Sequence, residues 1–220
     1  MSSIAVLGGT GPEGIGLALR FAQVGEEIII GSRDGSRAAA AAAKVIESVP
    51  GARARGAENA AAAVDAEKVV LALPHAAVED FLAAHASLLA GKIVVDVIVP
   101  LRFVHGVCES VPVADGSLGE HIQRLAPSAR VVSAFKNLSA EHLQRIDRPI
   151  EGDVLVCGDD AAAKAEVSSL AARVANLRAV DVGPLSSARA LEPITVMLLN
   201  INRLHHAVTA VRILGLDGED

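Results

Sequence analysis

The chain has 220 residues, with 20 basic and 26 acidic side chains, and its formal net charge is −6. This acidic balance argues against a nucleic-acid partner, because binding to a phosphate backbone needs a basic face. Apolar residues make up 51% of the sequence, yet every strongly apolar run is interrupted well before the ~18 residues that span a bilayer. We therefore expect no membrane partner. Without a basic start followed by an apolar leader, cytoplasmic localisation is the default.

Short runs rich in valine and isoleucine alternate with longer, alanine-rich segments. The runs lack polar alternation, which is typical of parallel strands that are covered on both faces. Strands are predicted at residues 4–7, 27–30, 68–73, 92–97 and 130–134, with residues 53–55 ambiguous. Helices are predicted at residues 14–24, 36–48, 57–64, 76–89 and 118–125. This alternation predicts an α/β fold built on a doubly wound, mainly parallel Rossmann sheet.

The pattern continues in reduced form after about residue 145. Strands are predicted at residues 154–157 and 178–182, with a helix between them that Asp159 and Asp160 open and that runs to about residue 175. A last helix begins near residues 188–193, with Pro193 in its first turn, and apolar residues recur at helical spacing as far as Val211. We divide the chain into a dinucleotide-binding domain, residues 1–145, and a small C-terminal α/β-plus-helix domain, residues 146–220, with an acidic tail at residues 217–220.

A glycine-rich turn directly follows the first predicted strand and opens the first helix. Its six residues are Gly9, Thr10, Gly11, Pro12, Glu13 and Gly14, a GxGxxG pattern. In this position, glycines allow a tight turn and let the backbone approach a pyrophosphate, while the helix N-terminus offers free N–H groups to the phosphates. Glu13 fits less well, because a carboxylate repels a pyrophosphate unless it points away. The turn predicts a dinucleotide site.

The end of the second strand indicates which dinucleotide binds. An NAD site has an acidic residue there, about 20 residues after the glycines, to accept the ribose hydroxyls. This chain has Ser32 and Arg33, with Arg37 one turn later. A hydroxyl and two guanidinium groups suit a 2′-phosphate, so NADP(H) is the expected cofactor. Asp34 argues against this choice, because it could contact a ribose.

Missing residues exclude several reductase mechanisms. The chain contains no tyrosine, which excludes dehydrogenases that use a catalytic Tyr with a Lys four residues on. The roughly 75 residues after position 145 are too few for the helical substrate domain of hydroxyacid and imine reductases. Cys108 and Cys157 lie far apart without metal-ligand spacing, so neither a disulfide nor a metal site is expected. Hydride transfer between two cofactors remains possible, because it needs ring stacking rather than an acid and a base.

Over nearly its whole length the chain resembles the NADPH-dependent coenzyme F420 reductases, also called F420:NADP oxidoreductases. The motifs that carry this resemblance are LGGTG at residues 7–11 with Gly14, IGSR at 30–33, KIVV at 92–95, VP at 99–100, VVSA at 131–134, VCGDD at 156–160 and GPLSSAR at 183–189. The last two motifs in this order are far more specific than the glycine turn alone.

The resemblance implies a site for each cofactor. NADP(H) would lie along the glycine turn, with Ser32, Arg33 and Arg37 around its 2′-phosphate. Residues 73–75, which include Pro74 and His75, would line the nicotinamide side. Coenzyme F420, a deazaflavin, would stack on the nicotinamide in a cleft between the sheet edge and the small domain. The walls of that cleft would be Val99, Pro100 and the 133–137 loop, which includes Ser133 and Ala134.

The resemblance further implies direct hydride transfer between nicotinamide C4 and deazaflavin C5, no catalytic acid or base, and a homodimer formed through the C-terminal region. Two positions depart from familiar members, which carry a bulky aromatic where His75 stands and a histidine where Lys136 stands. Lys136 and Arg102 are interpreted as surface cations, with contact to the deazaflavin tail as the alternative. FAD, FMN or another small acceptor is therefore the competing electron partner, and an NADP(H)-binding sensor without turnover is the alternative from a different class.

Overall fold

An eight-stranded sheet runs through the protein, which is described by a computed structural model over residues 2–174 and 177–216. The strands are β1 Ser3–Leu7, β2 Glu27–Ser32, β3 Arg53–Glu58, β4 Lys68–Leu71, β5 Ile93–Asp96, β8 Arg130–Ser133, β9 Gly152–Gly158 and β10 Leu177–Asp181; β6 Leu101–Val104 and β7 Val107–Ser110 form a separate hairpin. The order across the sheet is β10-β9-β8-β5-β4-β1-β2-β3. The β8–β9 pair is antiparallel, and the other six neighbouring pairs of this sheet are parallel.

Helices cover both faces of this sheet. They are α1 Pro12–Gln23, α2 Gly35–Ser48, α3 Asn59–Asp65, α4 Val78–His85, α5 Leu118–Leu125, α6 Ala140–Gln144, α7 Ala161–Arg173 and α8 Ala188–His205. One buried cluster includes Val6 with α1, α2 and α7, and the other includes Leu7 with α3, α4 and α5. Consecutive residues of β1 therefore face different cores. This explains why its sequence is apolar without alternation. The predicted doubly wound, mainly parallel fold is confirmed.

The chain reverses its direction of winding at β1. From β1 it proceeds through β2 to β3 on one side, and then crosses back to β4 and β5 on the other. Leu7 pairs with Gly31 of β2 and with Leu71 of β4, so these three strands end at one level. A crevice opens outside the carboxyl ends of the strands at such a switch point, where doubly wound folds bind their ligands.

The β6–β7 hairpin is absent from the sequence-based prediction. Its turn is His105–Gly106, and both residues have left-handed backbones, with φ of 49° and 80°. Two left-handed residues are what a two-residue type I′ turn requires. A histidine accepts this conformation less readily than asparagine or glycine. The sequence of this turn therefore only weakly indicated a hairpin.

Other elements differ from the prediction at their ends. The ambiguous strand at 53–55 extends through Glu58, so the helix predicted from residue 57 begins at Asn59. The helix predicted over 76–89 is a short α4 between two 3-10 turns. Pro193 lies in the second turn of α8 rather than the first. No helix of the described residues is long and apolar enough to cross a membrane.

The last helix is shorter than its apolar spacing suggested. It ends at His205, and His206 adopts a left-handed backbone with φ of 48°. The N–H of Ala207 then donates to the carbonyl of Asn202, which is a common way to close a helix. Val208 and Val211 therefore lie beyond α8. The tail predicted at residues 217–220 falls outside the described residues.

Candidate functional site

The glycine turn joins β1 to α1 with little room for side chains. Gly8 has φ of 78°, and its N–H donates to the carbonyl of Gly31 at 3.1 Å. A Cβ on Gly14 would lie 2.7 Å from the Cα of Gly9, and one on Gly9 would lie 2.7 Å from the carbonyl of Val6. These glycines are therefore required by the close approach of two backbone segments.

The first turn of α1 provides an anion-binding position. Gly11 is the residue that precedes the helix, and no side chain caps this end. Pro12 has no N–H to leave unpaired, while the other N–H groups of a first helical turn lack partners within the helix. Free donors and the positive end of the helix dipole suit a pyrophosphate. Thr10 is half-buried beside them.

Ser32, Arg33 and Arg37 gather at the end of β2. Ser32 is the last residue of the strand and is buried, whereas Arg33 and Arg37 are exposed and have room to meet a ligand. Asp34, the residue that argued against NADP(H), caps the N-terminus of α2. Its Oδ1 accepts hydrogen bonds from Ser36 N–H at 2.8 Å and from Ser36 Oγ at 2.6 Å, and these bonds lower the pKa of its carboxyl.

A cavity of about 490 Å³ lies beside the glycine turn at the same sheet edge. Its walls come from the segments that follow β4, β5 and β8, from α8, and from Glu13 of the first turn. The lining residues are Glu13, 72–75, 97–99, Leu101, 136–141, Thr195, Leu198, Leu199, Asn202 and Thr209. This volume is within the range of small-molecule sites.

The cavity brings together predicted residues from four segments, namely Glu13, residues 73–75, Val99 and residues 136–137 of the predicted 133–137 loop. Pro100 is buried behind this wall and is not a lining residue. Ser133 and Ala134 are fully buried and also lie outside the lining. The loop that follows them does reach the cavity, through residues 136–139.

Lys136 corrects a sequence-based interpretation, because it is a buried residue and not a surface cation. Its Nζ lies 2.6 Å from Oδ2 of Asp96 and 3.0 Å from Oε1 of Glu192, and it also donates to the carbonyl of Ile98. Burial alone would lower the pKa of Lys136, but the two carboxylates outweigh it and the pKa is raised. The lysine is therefore a permanent cation under the cavity. Arg102, by contrast, is exposed on the hairpin and pairs with Glu109.

Asp96 and Glu192 connect this cation to the segments after β5 and β8 and to α8, which are three walls of the cavity. Asp96 ends β5 and accepts hydrogen bonds from Ile98 N–H at 3.0 Å and from Ser133 Oγ at 2.9 Å. Glu192 lies on α8 and accepts from the N–H of Leu118 at 3.0 Å. Burial raises the pKa of Glu192, although Lys136 opposes this. The segments after β5 and β8 are thereby fixed to α8.

Phe135 sets the direction of the segment after β8. Its backbone is left-handed with φ of 60°, which is rare for a bulky residue and costs on the order of 1–3 kcal/mol. Its ring is buried against Phe21, edge to face, with centroids 5.4 Å apart. This packing holds the reversed backbone that turns the next residue, Lys136, inward.

Oε1 of Glu13 is the one buried side-chain oxygen or nitrogen among the described residues that has no hydrogen-bond partner. Its Oε1 is enclosed by protein, and burial raises the pKa of the carboxyl to about 8. At neutral pH the carboxyl is therefore mainly protonated. The repulsion of a pyrophosphate that its sequence position suggested is removed in this form.

Sequence reasoning missed two groups of residues at the site. Asn59, at the start of α3, accepts a hydrogen bond at 3.2 Å from the N–H of Gly8 and so supports the glycine turn. Asp96 and Glu192 were also not singled out. Asp96 could have been noticed as a charged residue directly after the buried run Ile93–Val95. Glu192 lies on a distant helix, and nothing in its sequence position indicated a role at the site.

Comparison with known proteins gives consistent results. A sequence profile of the family described as NADP oxidoreductase, coenzyme F420-dependent, matches residues 3–100. The F420-dependent NADP reductase of Methanothermobacter marburgensis is 40% identical over 205 residues, which cover 90% of this chain and 92% of that protein. The F420-dependent NADP reductase of Methanocaldococcus jannaschii is 39% identical over 221 residues, which cover 97% and 99%.

A solved structure extends this similarity to three dimensions. It is that of a protein from Arthrobacter sp. FB24 that was assigned as an F420-dependent NADP reductase. The two chains superpose with a TM-score of 0.82 at 34% identity, and the match covers 98% of this chain and all of the other. The similarity therefore includes α8 and the C-terminal half, beyond the residues that the family profile matches.

Proposed function

The chain belongs to the family of coenzyme F420-dependent NADP oxidoreductases, and from this premise we propose how its residues hold the two substrates for hydride transfer between NADP(H) and coenzyme F420. The proposal rests on one observation, which is that the parts of the site adjoin one another. The arginines after β2, the glycine turn and the cavity lie along one sheet edge, and Glu13 belongs to both the turn and the cavity.

NADP(H) lies across the switch point in this proposal. Ser32, Arg33 and Arg37 hold the 2′-phosphate through charge-assisted hydrogen bonds. The pyrophosphate rests on the turn from Gly9 to Gly14, which includes Thr10, Gly11 and Pro12 and where the crowded glycines leave room for it. The nicotinamide then enters the cavity beside Pro74 and His75.

The deazaflavin of F420 stacks on the nicotinamide against the segments after β5 and β8. Val99 and Leu138 supply apolar surface there, and Thr195 and Leu198 of α8 close the opposite side. Pro100, Ser133 and Ala134 support these segments from behind. The C-terminal part, residues 146–220, thus completes the second-substrate cleft through α8.

Catalysis in this site depends on position. Bringing two rings to within about 3–3.5 Å replaces a bimolecular encounter by a step within one complex, which removes a large entropic barrier. The hydride carries two electrons and one proton from nicotinamide C4 to deazaflavin C5. The balance is NADPH + H⁺ + F420 → NADP⁺ + F420H₂, with the additional proton taken from solvent. The apolar walls and the fixed segments would exclude water from the rings.

The decisive test is anaerobic mixing of the protein with NADPH and oxidised F420, followed by the loss of deazaflavin absorbance. NADH, FAD and FMN run in parallel. We expect rapid bleaching with NADPH and F420 and much slower reaction with NADH or either flavin. Tight NADPH binding with flavin reduction would transfer the activity to a flavin. Tight binding with no acceptor reduced would identify a sensor.

We infer that the protein acts as a homodimer. Large apolar side chains are exposed on α8 and on the hairpin that packs against it, including Met197 at 52%, Leu204 at 63% and Phe103 at 63%. The hairpin is fixed to α8 by Asn200, which accepts from the N–H of Cys108 at 2.9 Å. Light scattering should give twice the chain mass, and Leu204→Glu should shift it to one chain. A single-chain mass for the unmodified protein would contradict this.

A further inference from the structure

Glu13 is half-buried as a residue, yet its Oε1 is enclosed by protein. This oxygen has no hydrogen-bond partner among the described residues, and Glu13 lines the cavity. Buried polar atoms normally have partners, and an unpartnered one calls for a functional explanation. The group lies in the first turn of α1, directly after the pyrophosphate position.

Three other titratable side chains line the cavity, those of Lys136, Glu141 and His75. Lys136 is held by Asp96 and Glu192. Glu141, on α6, is exposed and pairs with Arg145 at 2.6 Å. His75, after β4, is half-buried. Only desolvation perturbs Glu13, so no fixed charge of the described residues balances it.

We propose that Glu13 senses the charge of the bound nicotinamide, so that its ionised form favours NADP⁺ over NADPH and its protonated form does not. This inference rests on the proposed function, which places the nicotinamide in the cavity. The two nucleotides share every phosphate and differ by one positive charge on that ring. A carboxylate in the same low-dielectric cavity therefore stabilises only the oxidised ring.

The sign of the effect with pH follows from this difference. Glu13 is mainly neutral at about pH 7 and mainly ionised above its pKa of about 8. The ratio of the dissociation constant of NADPH to that of NADP⁺ should therefore rise as pH increases. For opposite charges a few ångströms apart, a rise of about tenfold between roughly pH 7 and 9.5 is expected. By linkage, NADP⁺ binding near pH 8 releases protons from Glu13.

The test measures both dissociation constants by calorimetry across this pH range in the wild type, Glu13→Gln and Glu67→Gln. Glu67 is exposed directly before β4, at the sheet edge opposite the cavity. Glutamine keeps the shape of the side chain but cannot ionise. We expect the ratio to rise about tenfold in the wild type, to rise in the same way in Glu67→Gln, and to stay flat in Glu13→Gln. The 2′-phosphate does not interfere, because it titrates near pH 6 and is common to both ligands.

A second measurement requires no variant. Calorimetry of the wild type near pH 8 in buffers of different ionisation enthalpy counts the protons released on binding. NADP⁺ should release protons and NADPH should release fewer or none. Equal proton counts, a flat wild-type ratio, or an equal rise in Glu13→Gln would each overturn the inference. Failure of both nucleotides to bind would instead overturn the proposed function.

Discussion

The ammonium of Lys136 lies 2.6 Å from Oδ2 of Asp96, and neither side chain has exposed surface. Such a pair is stable only while both partners are present, because each charge loses its hydration on burial. Glu192 adds a second carboxylate at 3.0 Å. One buried lysine therefore pairs with two acids at the base of the cavity.

Replacing Lys136 by methionine should leave two buried carboxylates without a counter-charge. We expect the free energy of unfolding at neutral pH to fall by about 3–5 kcal/mol, measured by urea denaturation. Arg145→Met is the control, since it breaks an exposed pair with Glu141 and should cost less than about 1 kcal/mol. Adding Glu192→Gln to Lys136→Met should restore part of the loss. Equal stability of the wild type and the methionine variant would contradict the buried network.

Arg33→Glu should change which dinucleotide the protein prefers. Losing a bond to phosphate and gaining a repulsive charge should weaken NADPH by roughly 10–100-fold, with little effect on NADH. Lys44→Glu gives the same change of charge on an exposed position of α2 and should affect NADPH far less. Fluorescence titration with both nucleotides measures the two losses. If Arg33→Glu weakens both equally, the 2′-phosphate lies elsewhere.

Gly14→Ala should block the turn that holds the pyrophosphate. The added Cβ would lie 2.7 Å from Gly9 Cα and 2.9 Å from the carbonyl of Gly8, so the backbone must move apart. We expect nucleotide affinity to fall at least about tenfold, because displaced N–H groups no longer converge on the phosphates. Gly35→Ala begins α2, meets no atom within 4 Å, and should keep full affinity. Unchanged affinity in Gly14→Ala would place the pyrophosphate away from this turn.

The sequence was most informative where one chain segment determines its own structure. Helix α5 matches its predicted range in full, because Ser117 caps it and a clear turn precedes it. The cap predicted from Asp159 and Asp160 is confirmed at Asp160, whose Oδ1 accepts from Ala163 N–H at 2.7 Å. The glycine turn was predicted equally well, because its residue types and its place after a strand both indicate a dinucleotide site.

The sequence was least informative where distant segments meet. Lys136 was interpreted as a surface cation, because the two acids that pair with it are 40 and 56 residues away in the sequence. The cavity walls likewise combine α8 with loops from the first half of the chain. Periodic apolar residues past His205 suggested a longer helix, yet a left-handed His206 ends it, which a pattern of hydrophobicity does not reveal.

Glu13 should also make the stability of the ligand-free protein depend on pH. Its pKa is raised from an ordinary value of 4.5 to about 8 by burial, so the folded chain holds a proton that the unfolded chain releases between those values. Stability from this group is therefore fully present below about pH 4.5, falls as pH rises, and levels off above about pH 8.

Comparing Glu13→Gln with the wild type isolates this contribution. Carboxyl groups with lowered pKa values, such as those of Asp34 and Asp153, act in the opposite direction and are common to both proteins. The variant should have the same free energy of unfolding as the wild type at about pH 4.5 and exceed it by a few kcal/mol at about pH 9. Glu141→Gln removes an exposed carboxylate and should not reproduce this growth. A constant difference between Glu13→Gln and the wild type across the range would show that the carboxyl of Glu13 is hydrated in the folded protein.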